Sequence, residues 1–223
     1  VSNDALTAVL ARTSHVLLDF DGPVCSVFSN FTPGAVAKEL RARLCLNEAT
    51  ESNEPFDVLE YVAHHEPSAA VEAEAELARL ETKAVATAAP TPGALDVLRH
   101  FADIGRPIVV VSNNSAAAIH AYIDQHALAR YIAGVSARTA PAPDLLKPNP
   151  HLLLRAIELL GTTPVSCLMI GDSETDIAAA RAAGTPVVAY ANKPGKRARF
   201  SVTNPNAIVD RITEFLPETT ALR

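Results

Sequence analysis

Downstream of Gly93 the chain settles into one rhythm, in which short apolar or β-branched runs alternate with amphipathic helices. The spacing predicts helices over Ala94–Ile104, Ala116–Ala129, His151–Leu160 and Ile177–Ala183, with a closing helix at Ile212–Leu216. It predicts strands over Pro107–Val111, Tyr131–Val135, Val165–Ile170, Thr185–Tyr190 and Ala207–Val209. Such alternation needs crossover connections, and therefore a parallel sheet covered by helices on both faces. One more apolar run, Val16-Leu17-Leu18, stands alone far upstream. It ends in Asp19-Phe20-Asp21-Gly22, two carboxylates one residue apart, and Gly22-Pro23 then punctuates the chain.

Between the lone strand and the alternating region nothing has strand character. Ala35–Leu46 carries Val36, Leu40 and Leu44 at helical spacing, and Pro55–His65 places Phe56, Leu59, Val62 and Ala63 on one side. Pro67–Thr87 is rich in Ala and Glu, with proline in the first turn, where a helix tolerates it. The segment Thr87–Gly93, with two prolines, reads as the linker leading out. The economical assembly is one α/β core made of residues 1–24 and 89–223, interrupted by an all-helical module at 25–88.

A chain of 223 residues is long enough for such a core and module. Its formal net charge of −6, the absence of Trp and an aromatic content of 5% argue against a nucleic-acid binder, which carries a one-sided basic footprint. The single basic cluster, Lys193–Arg199, reads as a solvated loop. No apolar run approaches the roughly 20 residues of a membrane span, so no membrane association is expected. Residues Val1–Arg12 lack the basic-then-apolar plan of a signal peptide. Three widely spaced cysteines, Cys25, Cys45 and Cys167, make neither a disulfide framework nor a zinc set, and a reducing cytoplasm is the expected location. Cys25, although close to the acidic loop, reads as an inert thiol.

Polar clusters end the lone strand and two of the later ones. After Val111 come Ser112 and Asn113, and after Ile170 comes Gly171-Asp172-Ser173-Glu174-Thr175-Asp176. Lys147, in Leu146-Lys147-Pro148, precedes a further helix. In a parallel sheet the strand C-termini lie along one edge, where ligands bind. Each cluster alone has an ordinary explanation: Ser and Asn cap helices, and an acid in a first helical turn complements the macrodipole. Four in this order require four coincidences.

The ordered set resembles the haloacid dehalogenase superfamily, in the phosphatase branch whose helical cap is inserted after the first motif. In layout it is similar to phosphoglycolate-phosphatase-like and sugar-phosphate phosphatases. The resemblance runs from about Ser14 to Val209 and implies a Rossmann-like three-layer α/β core with a parallel sheet, plus the inserted cap. It further implies a phosphoric monoester hydrolase acting through an aspartyl-phosphate. Asp19 is then the nucleophile, while Asp21 protonates the leaving alcohol and later deprotonates water. Ser112, Asn113 and Lys147 bind the phosphate. Mg²⁺ is held by Asp19, the backbone carbonyl of Asp21 and Asp172, with Asp176 in support. Asp21 matters for the branch, because a halide leaving group needs no proton and an alkoxide does. Two positions depart from the family pattern: Pro23 stands where Thr is usual, and Cys25-Ser26-Val27 stands where many relatives carry an acid and a serine.

The expected partner is a small phosphorylated metabolite, and the expected state a monomer or weak homodimer. Cap candidates for specificity are Lys38, Arg41, Arg43, His64 and His65, with Asn192 and Lys193 as weaker ones. Alternatives stay open. A phosphosugar mutase (β-phosphoglucomutase-like) uses the same scaffold. A phosphoaccepting receiver shares the acidic cluster, Ser and Lys but lacks a long helical insertion. An inactive binding protein is expected to have lost one of Asp19, Asp21 or Asp172. Lys193-Pro194-Gly195-Lys196 lacks the glycine spacing of a P-loop.

Overall fold

The computed structural model describes residues 2–46 and 51–217, so the expected module and core boundaries include a few residues outside the description. In chain order the elements are α1 (Ser2–Arg12), β1 (His15–Leu18), β2 (Cys25–Ser26), α2 (Pro33–Arg43), α3 (Pro55–His65), α4 (Ala70–Val85) and β3 (Ala89–Pro90). They continue with α5 (Ala94–Asp103), β4 (Ile108–Ser115), α6 (Ala116–Gln125), β5 (Gly134–Arg138), α7 (His151–Leu159) and β6 (Cys167–Gly171). The last are α8 (Glu174–Ala183), β7 (Val187–Tyr190), α9 (Lys196–Thr203) and β8 (Ala207–Val209).

Six parallel strands form one sheet in the order β5-β4-β1-β6-β7-β8. The isolated apolar run of the sequence is thus its centre: Leu18 pairs with Val110 of β4 and Ile170 of β6. Two-residue alternation divides each strand between two cores. Val16, Leu18, Val110 and Ile170 pack with Leu6 and Val9 of α1, Phe101 of α5 and Ile119 of α6. Leu17, Val109, Val111 and Met169 pack on the opposite face with Leu153 of α7 and Ile177 of α8. Burial on both faces explains why these strands are uninterrupted apolar runs.

The helical segment leaves the core through β2 and returns through β3, which pair antiparallel as Cys25↔Pro90 and Ser26↔Ala89. Val36 and Leu40 of α2, Leu59 and Val62 of α3, and Leu77 and Leu80 of α4 make a third apolar cluster. Thr32 starts α2 by accepting a hydrogen bond from the Ala35 N–H, with Pro33 in the first turn. The end of α4 belongs elsewhere: Ala84 and Val85 pack in the core that covers β1. One helix therefore serves both the module and the core.

Several local expectations shift. The strand expected at Tyr131–Val135 begins only at Gly134 and runs to Arg138, because Leu128, Tyr131 and Ile132 pack against the core around a 3₁₀ turn at Ala129–Tyr131. The basic cluster at Lys193–Arg199 is not a solvated loop throughout, since α9 starts at Lys196 and three of its bases are paired: Lys196 with Asp172, Arg197 with Asp210 and Arg199 with Glu174. Ile212–Phe215 is a 3₁₀ turn rather than a closing helix. The helix α1 had no sequence signal beyond Leu6 and Val9 one turn apart, both buried. Among the described residues no helix is long and apolar enough to cross a membrane.

Candidate active site

The C-terminal ends of β4, β1 and β6, three neighbours at the centre of the sheet, carry Ser112, Asp19 and Gly171-Asp172. Ser112, Asp19 and Asp172, with Asp21, Asn113 and Lys147, line one cavity of about 570 Å³. Residues far apart in sequence meet because the parallel register puts these three ends side by side.

Lys147 is buried, and its three ammonium protons have three acceptors. Its Nζ donates to Asp19 Oδ1 at 2.7 Å, Asp176 Oδ1 at 2.6 Å and the Val111 carbonyl at 3.1 Å. The other Asp176 oxygen accepts from the Ser173 N–H and hydroxyl, so one carboxylate caps α8 and positions the lysine. Asn113 clasps the Lys147 backbone twice: its Nδ2 donates to the Lys147 carbonyl at 3.0 Å and its Oδ1 accepts from the Lys147 N–H at 2.8 Å. Its side chain, expected on the phosphate, is therefore engaged in holding the lysine. Ser112 is buried, and its Oγ accepts from the Asn114 N–H at 3.2 Å.

Carboxylate oxygens of Asp19, Asp172 and Asp176 lie within 4.8 Å of one another. Asp172 is gripped from behind by Lys196 Nζ at 2.5 Å and Asn192 Nδ2 at 2.8 Å, both donating to Oδ2. Gly22 makes room for this carboxylate, for at φ +109° a Cβ there would lie 2.5 Å from the Asp172 carboxyl carbon. These three carboxylates face two ammonium groups, those of Lys147 and Lys196, a deficit of positive charge that a divalent cation with oxygen preference fits. Burial pushes the Asp19 carboxyl well above the usual range and Asp176 adds to the rise, with Lys147 opposing. For Lys147, burial alone would lower the pKa, but Asp176 and Asp19 more than reverse this and keep it charged.

Asp21 points elsewhere. Its Oδ1 accepts from the Val27 N–H at 2.9 Å, which holds the side chain beside the exit toward the helical module. Burial raises its pKa to about 6, against the opposing pull of that N–H. A carboxyl of this kind keeps its proton in a minority of molecules at neutral pH, but far more often than an ordinary aspartate, which suits a proton donor. Cys25 is fully buried and burial pushes its thiol up, consistent with an inert role.

The expected specificity residues are not the ones facing the cavity. Arg41 donates to the Ser52 carbonyl, Arg43 pairs with Glu76 at 3.6 Å, and His65 stacks on Tyr61. His64 reaches Asp144 at 3.5 Å, and Lys38 is absent from the lining. Phe56, Asp57 and Glu60 of α3 line the cavity instead, together with Asp144 and Asn149. Asn192 and Lys193 line a second cavity of about 310 Å³ on the other side of Asp21. Sequence reasoning also passed over Lys196, and over Glu74, Glu81 and Arg138, which are buried together behind Asn113. Charged residues in an Ala/Glu-rich helix and at a strand end carry no signal that distinguishes them from a solvated face.

A family model described as haloacid dehalogenase-like hydrolase matches residues 13–184. A phosphoglycolate phosphatase of Mesorhizobium japonicum is 36% identical over 100 residues, covering 45% of this chain and 43% of its own length. A bifunctional riboflavin kinase/FMN phosphatase of Arabidopsis thaliana is 28% identical over 193 residues, covering 82% of this chain and 49% of its own. The chain spans about half the length of the curated relatives it matches. Among solved structures, CbbY from Rhodobacter sphaeroides in complex with phosphate superposes with a TM-score of 0.71 at 16% identity, over 91% of this chain and 96% of that one. At that identity the likeness concerns the fold.

Proposed function

The chain belongs to the haloacid dehalogenase-like hydrolase family, and on that premise we propose that it is a Mg²⁺-dependent phosphatase of small phosphorylated metabolites. The observation that carries this reading is the convergence of Asp19, Asp21, Ser112, Lys147 and Asp172 on a single cavity. Asp19 is the nucleophile and attacks phosphorus in line, forming an aspartyl-phosphate as the alkoxide departs. Asp21, protonated at the start, gives its proton to the leaving oxygen; as a carboxylate it then takes a proton from the water that hydrolyses the intermediate. Lys147 supplies fixed positive charge beside Asp19 and the phosphate oxygens, and Ser112 with neighbouring N–H groups binds those oxygens. Asp19 and Asp172, with the Asp21 carbonyl, are the residues to hold Mg²⁺, and Asp176 supports them. The ion would screen carboxylate from phosphate and stabilise charge on the transferring group.

Residues 25–88 act in this reading as a cap closing over residues 1–24 and 89–223. The leaving group then meets Phe56, Asp57, Glu60 and Asp144, and Lys147 is the sole cation among the described lining residues. That balance favours phosphate esters of neutral, hydroxyl-bearing alcohols, such as sugar phosphates, over esters whose alcohol carries a carboxylate. The test is phosphate release from a panel of small phosphomonoesters with Mg²⁺, comparing wild type with Asp19→Asn. Release by the wild type alone is expected. Equal release by both proteins would dismiss Asp19 as nucleophile.

A further inference from the structure

Behind the phosphate-facing side of β4 lies a buried ion network that joins the sheet to the inserted helix α4. Arg138, at the end of β5, has a side chain only 1% exposed. Its Nε donates to both Glu74 oxygens, at 2.7 and 3.0 Å. Its two terminal nitrogens donate to Glu81, at 2.8 and 3.1 Å. The Glu81 side chain is 0% exposed, and each of its oxygens accepts a second bond from the end of β4. Oε1 takes Asn114 Nδ2 at 3.1 Å, and Oε2 takes the Ser115 N–H at 2.8 Å. Arg138 donates once more, to the Asn113 carbonyl at 3.0 Å.

The backbone carbonyl of Asn113 is thus held by Arg138, while its side-chain amide holds the backbone of Lys147. Beside it, Asn114 is held by Glu81 through its side chain and donates its N–H to Ser112 Oγ. Anchoring a helix to a sheet does not require such contacts. Apolar residues of similar volume do that as well as, or better than, a buried ion pair. Here both members of the pair spend donors or acceptors on the few residues that present Ser112 and Lys147.

We propose that Glu81 and Arg138 are positioning residues for phosphate binding, through which the inserted helix α4 sets the shape of the β4 end and the seat of Lys147. The proposal rests on the reading of Ser112 and Lys147 as the phosphate seat. The network acts at a distance, through Asn113 and Asn114, and touches no reacting atom. Its consequence is that phosphate affinity depends on a helix lying outside the sheet.

The test separates positioning from anchoring. Arg138→Met strands the Glu74 and Glu81 carboxylates. Glu81→Met leaves Arg138 with Glu74 alone and takes the acceptors from the Asn114 amide and the Ser115 N–H. Each is expected to lower both Tm and phosphate affinity. The double variant Glu81→Met/Arg138→Met, built in a Glu74→Gln background because Arg138 also pairs with Glu74, removes all three charges. Its Tm is expected to recover toward wild type, while inorganic phosphate, titrated calorimetrically with Mg²⁺ present, binds about tenfold or more weakly than to wild type. Wild-type phosphate affinity in the refolded double variant would overturn the proposal. Should the double variant fail to fold, Glu81→Gln decides, since it keeps volume but replaces one acceptor oxygen with a donor. Weakened phosphate binding supports positioning, and unchanged binding refutes it. Ser112→Ala guards the premise. If wild type binds no phosphate, or Ser112→Ala binds it equally well, the phosphate seat itself is wrongly assigned and the proposal falls with it. Loss in Ser112→Ala alongside intact binding in the double variant removes only the positioning role.

Discussion

The Lys147 ammonium lies 2.7 Å from the Asp19 carboxylate, although 128 residues separate the two in the chain. The same ammonium lies 2.6 Å from Asp176, so one cation bridges a carboxylate at the end of β1 and one in the first turn of α8. Replacing Asp19 with Asn keeps the volume and leaves Lys147 its contacts with Asp176 and Val111. Turnover is expected to fall by roughly 10⁴-fold or more, with circular dichroism and cooperative unfolding retained. Steady-state phosphate release measured beside a thermal melt checks both halves.

Asp21 gives a pH signature in stability. Its pKa in the folded protein is raised to about 6, chiefly by burial, from an ordinary value near 3.8. A raised folded pKa means that the folded state binds the proton more tightly than the unfolded one. The contribution is complete below the unfolded value and is lost as pH rises through about 6. Asp21→Asn, which cannot ionise and can still accept from Val27, is expected to be more stable than wild type at pH 7.5 and to lose that advantage near pH 4. Calorimetric melts of both proteins in EDTA at the two pH values read the difference directly. An equal offset at both would show that ionisation is not its cause.

The carboxylate cluster predicts a metal effect independent of turnover. Mg²⁺ is expected to raise the Tm of EDTA-stripped wild type with the logarithm of its concentration once that exceeds the dissociation constant, and to do so far less for Asp172→Asn. Phosphatase activity should vanish with EDTA and return with Mg²⁺. Turnover that persists without metal would contradict the arrangement proposed for Asp19 and Asp172.

Gly22 offers a backbone test. Any Cβ at φ +109° is strained and here also meets the Asp172 carboxyl. Gly22→Ala is expected to cost on the order of 1–3 kcal/mol of stability and to weaken Mg²⁺ binding, because Asp172 must retreat. Chemical denaturation and a metal titration measure the two effects separately.

Charge at the mouth of the cavity should steer substrate choice. With Glu60 among the lining residues, Glu60→Lys is expected to improve kcat/KM for phosphoglycolate several-fold relative to a neutral sugar phosphate. An unchanged ratio between the two substrates would detach specificity from this wall.

The central strand, its acidic end and the two partner clusters at Ser112 and Asp172 were legible because each couples a local pattern to a fixed place in a parallel sheet. Val16–Leu18 had to be buried on both faces, and the residues after a buried strand have to surface at the sheet's edge. Residues whose role depends on a distant neighbour gave no such pattern. Glu81 belongs to an Ala/Glu-rich helix and reads as solvated until α4 is seen against β4. Lys196 looked like one of several exposed bases until α9 brought it to Asp172. The cations of the helical segment looked suited to a substrate, yet Arg41 and Arg43 are spent on neighbours within that segment.

The sheet order has a temporal consequence. β1 is synthesised before both of its partners, β4 and β6, and His15 pairs with Cys167. The central strand must therefore wait for about 150 further residues before its second edge is filled, a high-contact-order arrangement that folds slowly and exposes apolar edges meanwhile. The acidic end of β1 acquires Asp172 only at that last step. Recovery of metal binding during refolding is accordingly a clock for the β1–β6 pairing.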